Sequence, residues 1–284
     1  MDRIGVVGCG LMGSGIAEIA ARAGGKVLVV EADAAAMERG LERIERSLAR
    51  AVNSKKMSES EGAEVRANLS FSTDFSELAD RELVVEAVAE DESVKLEVFR
   101  KIDAAVEDPH AILATNTSSI PIIKLAMATQ RPQQVIGLHF FNPVPVLKLV
   151  ELISSLLTSA ETTARARDYA TNFLGKRVIT SPDRAGFVVN ALLIPYLLSA
   201  IRMLESGFAS PEDIDTGMVV GCAHPMGPLA LTDLIGLDTT MAVAESLYEE
   251  FKEPHFAPPP LLSRMTQAGL LGRKSGQGFF AYRS

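Results

Sequence analysis

A doubly wound α/β domain followed by an all-helical one is the fold class this sequence predicts, and three observations carry it. A short apolar strand at Ile4, Val6 and Val7 runs into Gly8-Cys9-Gly10-Leu11-Met12-Gly13, a G-x-G-x-x-G turn. Helical spacing follows it at Ile16, Ile19, Ala20 and Ala23. Further apolar strands at residues 26–30, 83–88 and 111–114 alternate with helical stretches, the pattern of a parallel sheet covered on both faces. Beyond Gly186 the chain shows helix starts, caps and breaks but no strand period.

The glycine turn has a mechanism. Gly8 permits the tight turn, and Gly10 lets backbone approach a pyrophosphate whose charge rests on the helix N-terminus. Gly13 allows close helix–sheet packing, and Leu11 and Met12 complete the cradle. Strand, turn and helix together are the context of a Rossmann-type dinucleotide site. The next strand ends in Glu31. An acidic side chain there accepts hydrogen bonds from the adenosine ribose 2′-hydroxyl and repels a 2′-phosphate, so the predicted cofactor is NAD rather than NADP. The competing reading of Glu31 is a solvated carboxylate at a strand end.

Residues 34–52 read as an amphipathic helix with Met37, Leu41, Ile44, Leu48 and Val52 on one face. Ser58 and Glu61 form a capping box that opens a second helix. The pair, residues 34–66, reads as an insertion into the nucleotide domain. Its link, Asn53-Ser54-Lys55-Lys56, is the most cationic spot of the region. A net charge of −8 argues against nucleic acid as a partner, so a ligand rich in phosphate would need such a local basic patch. A solvated helix end explains the lysines equally well.

Glu86 interrupts the otherwise apolar strand at 83–88, and Glu90-Asp91-Glu92 opens the helix after it, where acids also suit the helix dipole. The strand at 111–114 leads into Thr115-Asn116-Thr117-Ser118-Ser119. Those hydroxyls fall beyond the carboxyl end of a strand, where ligands of open α/β sheets sit. Ser119, ahead of Ile120-Pro121, reads as an N-cap, which leaves Ser118 facing substrate.

Residues 134–138 and 147–152 read as two strands joined by Asn142-Pro143-Val144-Pro145. His139 directly follows the first and Glu151 lies on the second. If the strands lie side by side, Glu151 reaches the imidazole, sets its tautomer and raises its basicity, as a general base needs. A histidine that merely satisfies a backbone carbonyl is the alternative.

A helix at 161–174 and a strand at 176–180 close the first domain, residues 1–183, with a linker at 181–186. The second domain, 184–284, starts with a helix at 187–206 that Pro195 kinks. Ser210 caps the next, with Pro211 at its first position, and a third helical region spans 229–251. His224 and His255 read as loop histidines. These helices are apolar on more than one face and would bury them in a partner, which predicts a homodimer.

An apolar content of 47% and a charged content of 23% are those of a globular protein of soluble type. The most apolar run, residues 186–201, is broken by Asn190 and Pro195 and is too short to span a membrane. Cys9 and Cys222 make no disulfide framework, which suits a cytoplasmic location. No cluster of His, Cys and acids has metal-ligand spacing, so no metal is expected.

From Arg3 to Tyr282 the chain resembles the L-3-hydroxyacyl-CoA dehydrogenases, above all their short bacterial members. The string G-L-H-F-F-N-P-V-P-V-L-K-L-V-E-L-I, the glycine motif and the terminal Gly276-Gln277-Gly278-Phe279 carry the likeness. The resemblance implies NAD-dependent interconversion of (S)-3-hydroxyacyl-CoA, such as 3-hydroxybutyryl-CoA, and 3-oxoacyl-CoA, such as acetoacetyl-CoA. It implies that His139 is the acid/base, Glu151 its partner, and Ser118 and Asn190 ligands of the reacting oxygen. Glu90, Lys95, Asn116 and Asn142 are implied at the cofactor. Ser47 and a lysine, here Lys55 or Lys56, are implied at the coenzyme A moiety, which the helical arm covers. Ala191 stands where many members carry arginine. A sugar-acid 3-dehydrogenase of the same superfamily is the alternative enzyme, and an NAD-binding structural protein the alternative from another class.

Overall fold

The computed structural model describes residues 1–282. The chain divides into two compact units, Met1–Arg184 and a second from Ala185 onward. The first begins with β1 (Arg3–Val7), α1 (Leu11–Arg22) and β2 (Lys26–Val30). The arm follows as α2 (Ala34–Asn53) and α3 (Glu59–Ala67), and then β3 (Leu69–Ser72). β4 (Leu83–Glu86), α4 (Glu92–Ala105), β5 (Ile112–Thr115), α5 (Ile122–Ala126) and β6 (Val135–Phe140) continue the alternation. β7 (Leu149–Ser154), α6 (Ala160–Asp168) and β8 (Arg177–Pro182) complete the unit.

The eight strands form one sheet in the order β3-β2-β1-β4-β5-β6-β7-β8. All neighbours pair parallel except β6 and β7, which are antiparallel. The order reverses between β1 and β4, so a crevice opens beyond their carboxyl ends, where open sheets of this kind hold dinucleotides. The central strands are apolar on both faces because helices cover both.

Several elements differ from the sequence reading. β3 was not expected: it has four residues at the sheet edge, and its serines leave only Leu69 and Phe71 to signal a strand. β6 runs on through His139, so the histidine is a strand residue rather than the one after it. Ser119 does not cap α5. The Asp183 carboxylate accepts from Ile122 N at 2.8 Å and Ile123 N at 2.8 Å, a cap supplied from far along the chain. Ser181 and Pro182 belong to β8, which shortens the expected linker. The helix expected at 161–174 ends as α at Asp168 and finishes as a π turn, Tyr169–Phe173. The Ser58–Glu61 capping box forms as read.

The second unit is helical among its described residues: α7 (Val189–Glu205), α8 (Pro211–Cys222), α9 (Pro228–Ile235), α10 (Leu237–Phe251) and α11 (Pro260–Gln267). Where one region was expected at 229–251, Gly236, at φ 104°, separates α9 from α10. The buried Asp233 carboxylate accepts from Phe279 N, Phe280 N and the Tyr282 hydroxyl, each at 2.9 Å, and so anchors the terminal glycine motif.

Candidate active site

The antiparallel register of β6 and β7 sets His139 directly opposite Glu151. A β6–β7 slip of one residue would send one of the two side chains to the opposite face of the sheet. His139 Nδ1 lies 2.7 Å from Glu151 Oε2, and both side chains are buried. A carboxylate at Nδ1 holds the ring proton there and leaves Nε2 as the acceptor. Nε2 lies 2.8 Å from Ser118 Oγ, on the loop after β5. Ser118, His139 and Glu151 thus form one continuous chain of hydrogen bonds.

Ser118 is itself held. Glu90 Oε1 accepts from Ser118 N at 2.9 Å, Thr117 Oγ1 at 2.5 Å, and Ser119 N and Oγ at 3.1 and 2.9 Å. Partial burial pushes the Glu90 carboxyl up, but the Lys95 ammonium and these donors outweigh it and hold the group below the usual carboxylate range. Lys95 Nζ stands 3.3 Å from Glu90 and 2.6 Å from Glu86. Glu86, fully buried at the end of β4, also accepts from Thr115 Oγ1 and Val88 N, each at 2.7 Å. The sequence reading singled out Glu90 and Lys95 but treated Glu86 as an oddity in a strand; a lone acid in an apolar run was the available signal. Asn116 Oδ1 accepts from Phe140 N at 2.9 Å and ties the β5 loop to the end of β6.

The turn between the dyad strands has a support that sequence reasoning missed. Lys176 Nζ donates to Val144 O at 2.6 Å and Leu147 O at 2.7 Å, and burial lowers its pKa from the usual lysine range.

The glycine loop fits a dinucleotide. Gly8 has φ +89°, and a Cβ on Gly13 would lie 1.8 Å from Gly8 O, so neither accepts a larger residue. A Cβ on Gly10 meets nothing within 4 Å, which leaves open space above the N-terminus of α1. Glu31 closes the far side, where its carboxylate accepts from Cys9 N, and from Ala32 N at 3.0 Å. Burial, reinforced by Glu31, pushes the Cys9 thiol up to about 12, which makes it inert.

A groove of about 800 Å³ runs from Leu11, Ser14 and Gly15 along α2 to Asn142, Val144 and Pro145. Arg22, Arg43, Arg46, Arg50, Lys56 and Ser47 line it, so its wall is strongly cationic in an acidic protein. Lys55 is not among its lining residues and instead borders a separate depression with Val52, Met57 and Ser58. The arginines escaped the sequence reading because their spacing on an amphipathic helix is that of a solvated face. Glu18, buried at the groove, pairs with Arg22; burial raises its carboxyl against the opposing pull of Ser47, Arg22 and Arg50. Asn190 belongs to the second unit, in the first turn of α7.

Among the described residues no group of three or more metal-ligating side chains occurs, and no helix is long and apolar enough to cross a membrane. The family model described as 3-hydroxyacyl-CoA dehydrogenase, NAD binding domain, matches residues 3–184, and that of the C-terminal domain matches 186–282. The chain is 57% identical over 282 residues to the 3-hydroxybutyryl-CoA dehydrogenase of Mycobacterium tuberculosis, covering 99% of both chains. It superposes on the crystal structure of FadB2 from the same species with a TM-score of 0.99 at 57% identity, covering 100% of this chain and 99% of that one. The (S)-3-hydroxybutyryl-CoA dehydrogenase of Ralstonia eutropha gives 0.94 at 44% identity, with all of both chains covered. These matches set aside the sugar-acid and non-catalytic alternatives, and the chain belongs to the 3-hydroxyacyl-CoA dehydrogenase family of NAD-dependent oxidoreductases.

Proposed function

We propose that the protein oxidises short-chain (S)-3-hydroxyacyl-CoA, with 3-hydroxybutyryl-CoA as its substrate, and reduces acetoacetyl-CoA in reverse. The observation that carries this reading is the chain Ser118–His139–Glu151, with hydrogen bonds of 2.8 and 2.7 Å. Bound NAD supplies the hydride acceptor. His139 takes the C3 hydroxyl proton at Nε2 as oxidation proceeds and returns it in reduction. Glu151 fixes the proton on Nδ1 and stabilises the imidazolium that forms. Ser118, held in place through Glu90, turns its hydroxyl from His139 Nε2 to the reacting oxygen when the substrate hydroxyl takes that place at Nε2, and so supplies the electrostatic share of the barrier reduction. Asn190 shares that oxygen by family resemblance alone. Glu31 takes the adenosine ribose, while Glu90, Lys95, Asn116 and Asn142 border the nicotinamide side.

The cationic groove is the proposed seat of coenzyme A, with Ser47 and Lys56 joined by Arg46 and Arg50 of α2. Leu192, Phe208 and Val220, each more than 70% exposed in the second unit, support a homodimer that covers them. Two free cysteines support a reducing cytoplasmic setting. The deciding experiment follows NADH oxidation with acetoacetyl-CoA against free acetoacetate. Turnover with the thioester and little with the free acid is expected; equal turnover would remove the coenzyme A groove from the reading.

A further inference from the structure

The arginine nearest the glycine loop has a position that coenzyme A binding does not explain. α2 packs onto that loop at Gly40, where an added Cβ would lie 2.6 Å from Cys9 Cβ. Arg43 follows at i+3 on the same helix face. Its Nη1 donates to Cys9 O at 3.3 Å. The same residue, Cys9, gives its N–H to Glu31. One residue of the loop, Cys9, therefore has an acid at its amide and a guanidinium at its carbonyl. Among the described residues no carboxylate forms an ion pair with Arg43. Its guanidinium keeps donors to spare beside the groove that it lines.

We propose that Arg43 is a latent ligand for an adenosine 2′-phosphate, and that Glu31 alone keeps this protein an NAD enzyme. The inference rests on the proposed role of Glu31 at the ribose. A carboxylate at the strand end accepts from a 2′-hydroxyl but repels a phosphate dianion, whereas a fork of N–H donors matches phosphate oxygens. With Glu31 in place the repulsion cancels what Arg43 offers. Without it, the guanidinium is already seated on the loop and no new cation has to be introduced. The acyl-CoA reaction itself does not require Arg43 at this spot, because Arg46, Arg50 and Lys56 line the groove farther along the arm.

Calorimetric titration of the full-length protein with AMP and with adenosine 2′,5′-bisphosphate separates the two roles without turnover, counting only binding that NADH displaces. Wild type is expected to prefer AMP. Glu31→Ser should weaken AMP, through the lost 2′-hydroxyl contact, and strengthen the bisphosphate by about tenfold. Adding Arg43→Ala to Glu31→Ser should remove that gain while AMP binding stays where the single variant left it. The kcat/KM ratio for NADPH over NADH should move in parallel. If the bisphosphate gain survives in the double variant, or never appears in Glu31→Ser, Arg43 is not a phosphate ligand and the proposal is overturned. Unchanged AMP binding in Glu31→Ser would instead remove the ribose role of Glu31, with the Arg43 comparison still decided by the bisphosphate.

Discussion

The β6–β7 hairpin and the α2–α3 arm hold polar residues by opposite means. In the hairpin, sheet register places His139 against Glu151, both are buried, and each has a defined partner. In the arm, Arg46, Arg50 and Lys56 stand exposed along a groove, and their charges overlap in effect. A buried pair has no substitute, since removing one member strands the other in a low-dielectric site. An exposed set of cations is redundant and screened by salt. Single substitutions should therefore be severe in the hairpin and mild in the arm, and the difference is measurable.

The largest effect is expected at His139. His139→Ala should lower kcat by about 10²–10⁴-fold, the share of a positioned general acid–base. Glu151→Gln keeps the shape and a hydrogen-bonding oxygen but not the charge. A loss of kcat on the order of tenfold or more is expected, because a hydrogen bond to a charged group contributes about 1.5–3 kcal/mol. In both variants NADH binding, followed by fluorescence titration, should stay near that of the wild type. A Glu151→Gln enzyme with full kcat would show that the hairpin pair is only structural.

The arm needs two substitutions to show an effect of comparable clarity. Arg46→Ala together with Arg50→Ala should raise the KM for acetoacetyl-CoA by about tenfold at low salt and leave kcat nearly unchanged, the signature of lost uniform binding. The deficit should shrink as salt rises. A fall in kcat with KM unmoved would mean that these arginines act on the reaction rather than on the coenzyme.

The two regions also differed in how legible they were. A strand, a glycine turn and a helix in succession announce a nucleotide site because each needs a distinct residue type at a fixed spacing. His139 and Glu151 could be paired on paper because a short proline turn forces adjacent strands together. Contacts that cross the chain leave no such mark. The Asp183 cap on α5 joins residues some sixty positions apart, and Glu86 gains its meaning only from Lys95 and Thr115 on other elements. β3 was illegible for another reason: an edge strand with one covered face can be short and rich in serine. The arginines of α2 looked like any solvated helix face until the loop at Asn142–Val146 formed the opposite wall.

Glu90 lies between the extremes, charged and solvent-reachable yet tied to four donors and Lys95. Its folded pKa is depressed, so the carboxylate's contribution to stability is fully present above the ordinary glutamate range and is lost as pH falls through the folded value. Thermal unfolding followed from neutral to acid pH should show wild type losing stability below about pH 4.5, near the ordinary carboxyl value. Glu90→Gln should start lower and fall less steeply. Parallel curves would mean that the serine loop does not depend on that charge.

The smallest predicted effect separates two neighbours on the arm. Lys55 and Lys56 are equal in charge, and the sequence offered no reason to choose between them. The chain turns at Lys55, whose φ is 58°, so consecutive side chains leave the end of α2 in different directions. Lys56 lines the cationic groove beside Ser54 and Ala51, whereas Lys55 does not. Both are exposed, so even a direct contact with a phosphate is worth what surface pairs are worth, about 0.2–1 kcal/mol. Lys56→Ala should therefore raise the KM for acetoacetyl-CoA by about two- to fivefold at low salt. Lys55→Ala should leave it unchanged within error, and 0.5 M salt should erase the difference between them. Equal KM values for the two variants at low salt would mean that only the net charge of the arm matters. The groove would then attract coenzyme A at long range without holding it through Lys56.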